Sequence, residues 1–181
     1  MKREIEIKAK IQDAHSLRSL LQKKGCIFSR SVIQVDKIYL PKGFTFATKK
    51  LTDPVLRIRS EGVKSILTFK RSQSQDLDKI EIETVIEDPK SMHEMIVQLG
   101  FELIIEVKKT REMTKYGDFT VCLDNVIGLG EFVELEKIAD EDAGVVQNEM
   151  KKVLSELGIN ESDYVLQSYD IMLMDIRQKL P

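Results

Sequence analysis

The sequence predicts an α+β protein: a closed, mainly antiparallel, eight-stranded β-barrel with helices packed outside it. Three observations lead there. About eight strand-like segments follow one another with short turns, which favours antiparallel pairing in an open or closed sheet. Four helix-like segments accompany the strands, the first two with apolar stripes suited to covering such a sheet. Six of the strands place charged or polar residues at every second position, so that one face of the sheet is strongly charged.

The first strand covers residues 2–10, where Glu4, Glu6 and Lys8 share one face and Ile5 and Ile7 the other. Asp13 then reads as a helix N-cap, and Leu17, Leu20 and Leu21 form a stripe that ends at Gly25, a C-cap position. The run from Cys26 to Leu40 reads as strand and stops at Pro41 and Gly43. Residues 41–54 make a long loop of mixed polarity, a length usually associated with function or mobility. Strands follow at 54–60, 64–71 and 79–87, the first two joined by the turn in Ser60-Glu61-Gly62-Val63-Lys64.

Asp88-Pro89 starts a second helix, with proline at the first helical position, and Met92, Met95, Ile96 and Leu99 form its stripe before Gly100. Strands are then predicted at 101–113, 118–126 and 130–138, with turns at Tyr116-Gly117-Asp118 and around Gly128. Two helices complete the reading, 141–157 and 161–178, the second capped near Asn160 or Ser162. With 181 residues and no low-complexity linker, one domain over 1–181 accounts for the whole chain.

Composition excludes several classes of function. Thirty acidic and twenty-eight basic residues leave a formal charge of −2, so the surface as a whole is not built for nucleic acid. No apolar run approaches the ~20 residues of a membrane-spanning helix. Cys26 and Cys122 are isolated, without metal-ligand spacing or a preceding signal peptide, and predict reduced thiols in a cytoplasmic protein.

The charged faces carry the chemistry. Besides Glu4, Glu6 and Lys8, they hold Arg57 and Arg59, Thr68 and Lys70, Glu81 and Glu83, Lys109 and Arg111, and Glu134 and Glu136. A solvent-facing sheet usually mixes Thr, Ser, Gln and Lys, whereas like charges two apart repel unless opposite charges or a charged ligand stand among them. In a closed barrel the isoleucine faces pack under the helices and the charged faces line the lumen. Arginine and lysine there would bind a polyphosphate through charge-assisted hydrogen bonds. Carboxylates would reach the same polyanion through Mg²⁺ or Mn²⁺, hard cations that take both kinds of oxygen.

Other features read as ordinary structure. His15 and His93 lie on helices without partner ligands, and Gly128-Leu129-Gly130 lacks the Lys-Ser/Thr of a phosphate loop. Met92, Met95, Met172 and Met174 read as packing residues.

The ordered set Glu4-x-Glu6-x-Lys8, Arg57-x-Arg59, Lys70, Glu81-x-Glu83, Lys109-x-Arg111, Asp124 and Glu134-x-Glu136 resembles the CYTH superfamily of triphosphate tunnel metalloenzymes. The segments "DKIYL", "LDNVIGLGEFVELE" and "SYDIML" look most like its class IV adenylate cyclases and their archaeal and bacterial relatives. The resemblance spans roughly residues 3–173. It implies that Glu4, Glu6, Asp124, Glu134 and Glu136 bind divalent metal, and that Lys8, Arg57, Lys70, Lys109 and Arg111 grip the triphosphate. Arg59, Glu81 and Glu83 fit the lumen pattern. Lys109, Arg111 and Glu134 are the residues it places in the chemistry.

The activity so implied is conversion of ATP to cyclic AMP and pyrophosphate. Glu136 resembles the second acid of the triphosphatases, which keeps hydrolysis of inorganic, thiamine or nucleoside triphosphate open. A module that binds polyphosphate or nucleotide without turnover is the third reading, and the full set of acids speaks against it. The cyclase resemblance also makes a homodimer an expectation.

Overall fold

The computed structural model describes residues 3–44, 48, 50, 53–75 and 78–179. Its elements in chain order are β1 (Arg3–Ile11), α1 (Ala14–Lys23), β2 (Val32–Pro41), β3 (Val55–Glu61), β4 (Lys64–Gln75), β5 (Asp78–Ile86) and α2 (Pro89–Gln98). They continue with β6 (Phe101–Tyr116), β7 (Phe119–Val126), β8 (Gly130–Ala139), α3 (Ala143–Glu156), a 3₁₀ turn (Glu161–Asp163), β9 (Tyr164–Val165) and α4 (Tyr169–Lys179). Of the long loop predicted over 41–54, residues 45–47, 49, 51 and 52 lie outside the described residues.

The strands form one antiparallel sheet in the order β5-β4-β3-β2-β6-β7-β8-β1, and β1 pairs back onto β5 through Glu4 with Lys79 and Ile5 with Asp78. That pairing closes the predicted eight-stranded barrel. Further along β1, where β5 has diverged, the two residues of β9 take over the free edge, with Lys8 opposite Val165 and Ala9 opposite Tyr164. The barrel therefore leaves little open strand edge at its seam.

Burial follows the alternation. Ile5, Ile7 and Ala9 of β1, Val121 of β7, and Val133 and Leu135 of β8 face outward and are covered by Leu17 and Leu21 of α1 and by Val146, Met150 and Leu154 of α3. Leu21, fully buried, contributes about 1.5–3 kcal/mol of apolar burial. Ile96 of α2 packs on Tyr39, Ile58 and Ile86 on the opposite wall.

Helix α4 is placed differently. Its Tyr169, Met172 and Leu173 pack with Ile38, Val107, Val126 and Phe132, apolar residues in phase with the charged inner face, so the helix plugs one end of the barrel. Gly128, with φ +86°, permits that approach: a Cβ there would lie 3.3 Å from Leu173 Cδ2.

The helix starts are fixed by side chains. Asp13 Oδ1 accepts from Ser16 N at 2.9 Å, Asp88 Oδ1 from Lys90 N at 2.9 Å, and Asp142 Oδ1 from Gly144 N at 3.0 Å. No helix among the described residues is long and apolar enough to cross a membrane.

Two elements differ from the sequence reading. The second strand starts at Val32, because Ser29 diverts the preceding segment: its Oγ accepts from Met113 N at 3.0 Å where a ladder carbonyl would stand. The helix predicted over 161–178 is instead the 3₁₀ turn, β9 and then α4, because the extended Tyr164-Val165 pair satisfies the edge of β1.

Candidate functional site

The barrel encloses a cavity of about 640 Å³. It is lined by Glu4, Glu6 and Lys8 from β1, Arg57 and Arg59 from β3, Lys70 from β4, Glu81 and Glu83 from β5, Lys109 and Arg111 from β6, and Glu134 and Glu136 from β8. Twelve of the residues singled out in the sequence thus face one space, as the period-two pattern requires. Asp124 of β7 lies behind them, 1% exposed, and Thr68 is fully buried between Arg57 and Glu83.

One group of charges occupies β1, β6, β7 and β8. Arg111 grips Asp124 with Nε on Oδ1 and Nη2 on Oδ2, both at 2.6 Å, and also donates to Glu134 and, at 3.1 Å, to Glu136. Lys109 Nζ donates to Asp124 Oδ2 at 3.0 Å, and Lys8 Nζ lies 3.2 Å from Glu134 Oε1. Tyr169 enters from α4: its hydroxyl donates to Asp124 Oδ2 at 3.0 Å, and its ring lies 4.2 Å from Lys8 Nζ and 5.0 Å from Lys109 Nζ.

A second group lies on β2 to β5. Arg57 Nη2 reaches Thr68 and Glu83, each at 3.1 Å, and Lys70 is paired with Glu81. Arg59 makes a bidentate contact with Asp36, 2.7 Å on each arm. Lys79 Nζ donates to Glu6 at 2.9 Å across the barrel seam.

These neighbours set the ionisation of the acids. Burial alone would raise Glu134, but Lys8, Arg111 and Lys109 hold it well below the usual carboxylate range. Glu6 behaves alike, burial being outweighed by Lys79 and Lys8. Glu136 is pushed up by burial and by the negative charge of Glu134 and Glu6, although Arg111 opposes this. Glu4 rises to about 9, through burial first and Glu81 next. Burial, and then Arg111, lower Lys109.

A divalent cation fits one part of this arrangement. Oxygens of Glu6, Glu134 and Glu136 all lie within 4.8 Å of one another, and their mutual repulsion is the kind that a hard cation with oxygen ligands relieves. Asp124 stands outside that trio, its two oxygens taken by four donors from Arg111, Lys109 and Tyr169. Glu4 faces Glu81 and Lys70 instead.

The model of the CYTH domain family matches residues 2–169. The chain belongs to the CYTH family. A protein of Methanocaldococcus jannaschii named "Putative adenylate cyclase" is 35% identical over 170 residues, covering 92% of this chain and 95% of that one. Among solved structures, the PH1819 protein of Pyrococcus horikoshii superposes with a TM-score of 0.82 at 29% identity, over 96% of this chain and 99% of that one. An adenylyl cyclase candidate from Hippeastrum, described as having a dominant triphosphatase activity, shares the fold with a TM-score of 0.64 at 18% identity, over 100% and 98% of the two chains. CYTH proteins are triphosphate tunnel enzymes that depend on metal, and the closed barrel and its acidic cluster match that family chemistry.

Among the lining residues that escaped the sequence reading are Gln34, Asp36, Glu61, Lys79 and Tyr169. Gln34 and Asp36 alternate in phase with Ile38, and Lys79 in phase with Glu81, so the same period-two rule finds them once pairs of mixed character are admitted. Tyr169 opens a helix, where no strand periodicity could mark it. His93 bonds Tyr39 Oη through Nδ1 at 2.9 Å beneath α2, away from the charged cavity, and both cysteines are buried and free.

Proposed function

We propose that this chain is a metal-dependent enzyme acting on a triphosphate, and that its reaction is conversion of ATP to cyclic AMP and pyrophosphate. The observation that supports this best is the pairing, in the cavity of one closed barrel, of a three-carboxylate cluster with buried lysines and arginines. Glu6, Glu134 and Glu136 would hold Mg²⁺ or Mn²⁺, which as a Lewis acid draws charge from phosphate oxygens when bound. Lys8, Arg57, Lys70, Lys109 and Arg111 bind and orient the triphosphate. They exchange their present carboxylate partners for phosphate oxygens of similar geometry.

Lys109 and Arg111 neutralise charge on the departing pyrophosphate, the step in which fixed positive charge lowers the barrier most. Their strand, β6, also carries the contact with α4 through Tyr169, so the plugged end of the tunnel is held rigid around them. The remaining task for the barrel is to aim the ribose 3′-hydroxyl at the α-phosphorus.

Glu136 favours a second reading. It stands within the carboxylate cluster, in the position where the family resemblance places the second acid of the triphosphatases. The same grip would then serve hydrolysis of inorganic, thiamine or nucleoside triphosphate.

The deciding experiment incubates the protein with ATP, and separately with inorganic triphosphate, each with Mg²⁺ or Mn²⁺, and identifies products by chromatography. Cyclic AMP with pyrophosphate is the expected result. Orthophosphate alone replaces the first reading by the second, and no product with either substrate rejects both and leaves a binding module. The homodimer implied by the resemblance belongs to the same reading and is checked by solution mass.

A further inference from the structure

Two buried polar atoms in the cavity have no partner among the described residues, and they ask for opposite things. Arg57 Nε, on a side chain in a residue 8% exposed, is a donor that an anion satisfies. Gln34 Oε1, in a residue 3% exposed, is an acceptor. The amide of Gln34 is oriented by chemistry: its Nε2 donates to Glu61 Oε2 at 2.8 Å, and because a carboxylate can only accept, the oxygen is the atom left over. A buried acceptor beside a carboxylate repels phosphate and calls for an N–H or O–H donor.

The two atoms are also apart in space. Glu61 follows Arg57 by four residues on β3, about 13 Å along an extended strand. Arg57 lies next to Thr68, Glu81 and Glu83, among the groups that grip phosphate. Gln34 and Glu61 lie further from helix α4, each on its own strand, since Ile38 of β2 and Val55 of β3 are the residues that pack at the plugged end; the cation opposite Gln34, Lys109 of β6, gives its ammonium to Asp124 instead. On that same side the lining turns partly apolar, with Ile66, Met113 and Ile138 among the residues that face the cavity.

We infer that Gln34, held by Glu61, is a specificity residue that accepts a hydrogen bond from an N–H donor on the organic part of the substrate, so that the tunnel takes a nucleoside triphosphate with an exocyclic amino group in preference to inorganic triphosphate. The inference rests on the triphosphate-enzyme reading above and adds the end of the substrate that the cations do not read. Inorganic triphosphate satisfies Arg57 and leaves Gln34 Oε1 unpaired. An amino-bearing base such as adenine satisfies both, with its ring against Ile66, Met113 and Ile138.

Binding tests this separately from turnover. Titration calorimetry on the whole chain, with Mg²⁺ present, compares ATP, its 6-oxo analogue inosine triphosphate, and inorganic triphosphate. The wild-type protein should prefer ATP to inosine triphosphate by about tenfold or more, because the analogue puts a carbonyl where the amino group stood and leaves the buried acceptor unpaired. Gln34→Leu should bring that ratio close to one while leaving the affinity for inorganic triphosphate within about twofold. Glu61→Gln, which frees the amide to turn, should lower the ratio without removing the side chain, and it serves where Gln34→Leu proves unfolded by its thermal transition.

Equal affinity of the wild type for ATP and inosine triphosphate, or an unchanged ratio in a folded variant, overturns the inference. Preferential binding of ATP without turnover of any triphosphate leaves this subsite standing and removes the enzymatic reading alone. Failure to bind any of the three removes both.

Discussion

The two sides of the tunnel wall spend their charges differently. On β1, β6, β7 and β8, the cations and acids are almost fully buried and satisfy one another: the side chains of Arg111 and Asp124 are 6% and 0% exposed, and Asp124 receives four donors. On β2 to β5 the network is looser. Glu83 is 48% exposed at its side chain, and Arg57 Nε and Gln34 Oε1 have no partner among the described residues. The saturated side gives up carboxylate partners when its cations take phosphate, and its disruption strands buried charge, whereas the looser side has bonding capacity that is unused among the described residues.

The strongest way to break this comparison is Glu134→Ala. It removes the carboxylate that pairs Lys8, leaving that ammonium buried without its acid while Arg111 keeps Asp124 and Glu136, and should destabilise the metal-free protein by about 3 kcal/mol in urea unfolding. Turnover with Mg²⁺ should fall by at least about 100-fold, since even groups behind a metal ligand are worth about 10–100-fold. Much of the metal-free binding of triphosphate should survive. A stability change under about 1 kcal/mol would falsify the view that this side is a mutually dependent network.

The next largest effect belongs to the seam between the two sides. Glu4 of β1 stands opposite Lys79 of β5, and its folded pKa of about 9 exceeds the unfolded value of 4.5, through burial and then Glu81. The folded protein therefore keeps a proton that the unfolded chain has lost, and stability falls as pH rises from about 4.5 to 9. Glu136, raised in the same sense, adds to the slope. Urea midpoints of the metal-free protein across that window should show the decline, and Glu4→Gln should flatten it. A slope that survives the substitution assigns the proton to another group.

On the looser side, Arg57→Leu should separate binding from stability. Glu83 falls back on water and Glu81 keeps Lys70, so unfolding should shift by only about 1 kcal/mol. Triphosphate affinity should nevertheless drop about tenfold or more, because a charge-assisted hydrogen bond to a charged group is worth about 1.5–3 kcal/mol. Comparable losses in stability from Arg57→Leu and Glu134→Ala would erase the distinction between the two sides.

The same division governed what could be read in the sequence. Strand alternation told which side chains share a face, and it brought Glu4, Glu6, Lys8, Arg57, Arg59, Lys70, Glu81, Glu83, Lys109, Arg111, Glu134 and Glu136 to one cavity. It could not tell which faces meet, because the join of β2 to β6 connects segments some seventy residues apart, as in Gln34 opposite Lys109, and no local pattern encodes that pairing. Searching for pairs of one sign also passed over Gln34, Asp36 and Lys79, whose neighbours in phase differ from them in character. β9 was illegible for a physical reason: two residues are too few to show a period, and Tyr164-Val165 is extended only because β1 has an edge to fill.

Tyr169→Phe tests the smallest contribution, and whether α4 acts on the saturated side by its hydroxyl or by its ring. The substitution deletes one of four donors to Asp124 while leaving Lys109 and Arg111 on the same carboxylate. The ring stays over Lys8 and Lys109 and against Phe132, whose centroid lies 5.0 Å away in an edge-to-face contact. Loss of one neutral donor to an ion otherwise well served should cost about 1 kcal/mol, with a change in kcat of severalfold at most and KM for the triphosphate unchanged. If Tyr169→Phe instead raises KM tenfold, the hydroxyl sets the position of the cations themselves, and the saturated side would be poised by helix α4 rather than by its own ion pairs.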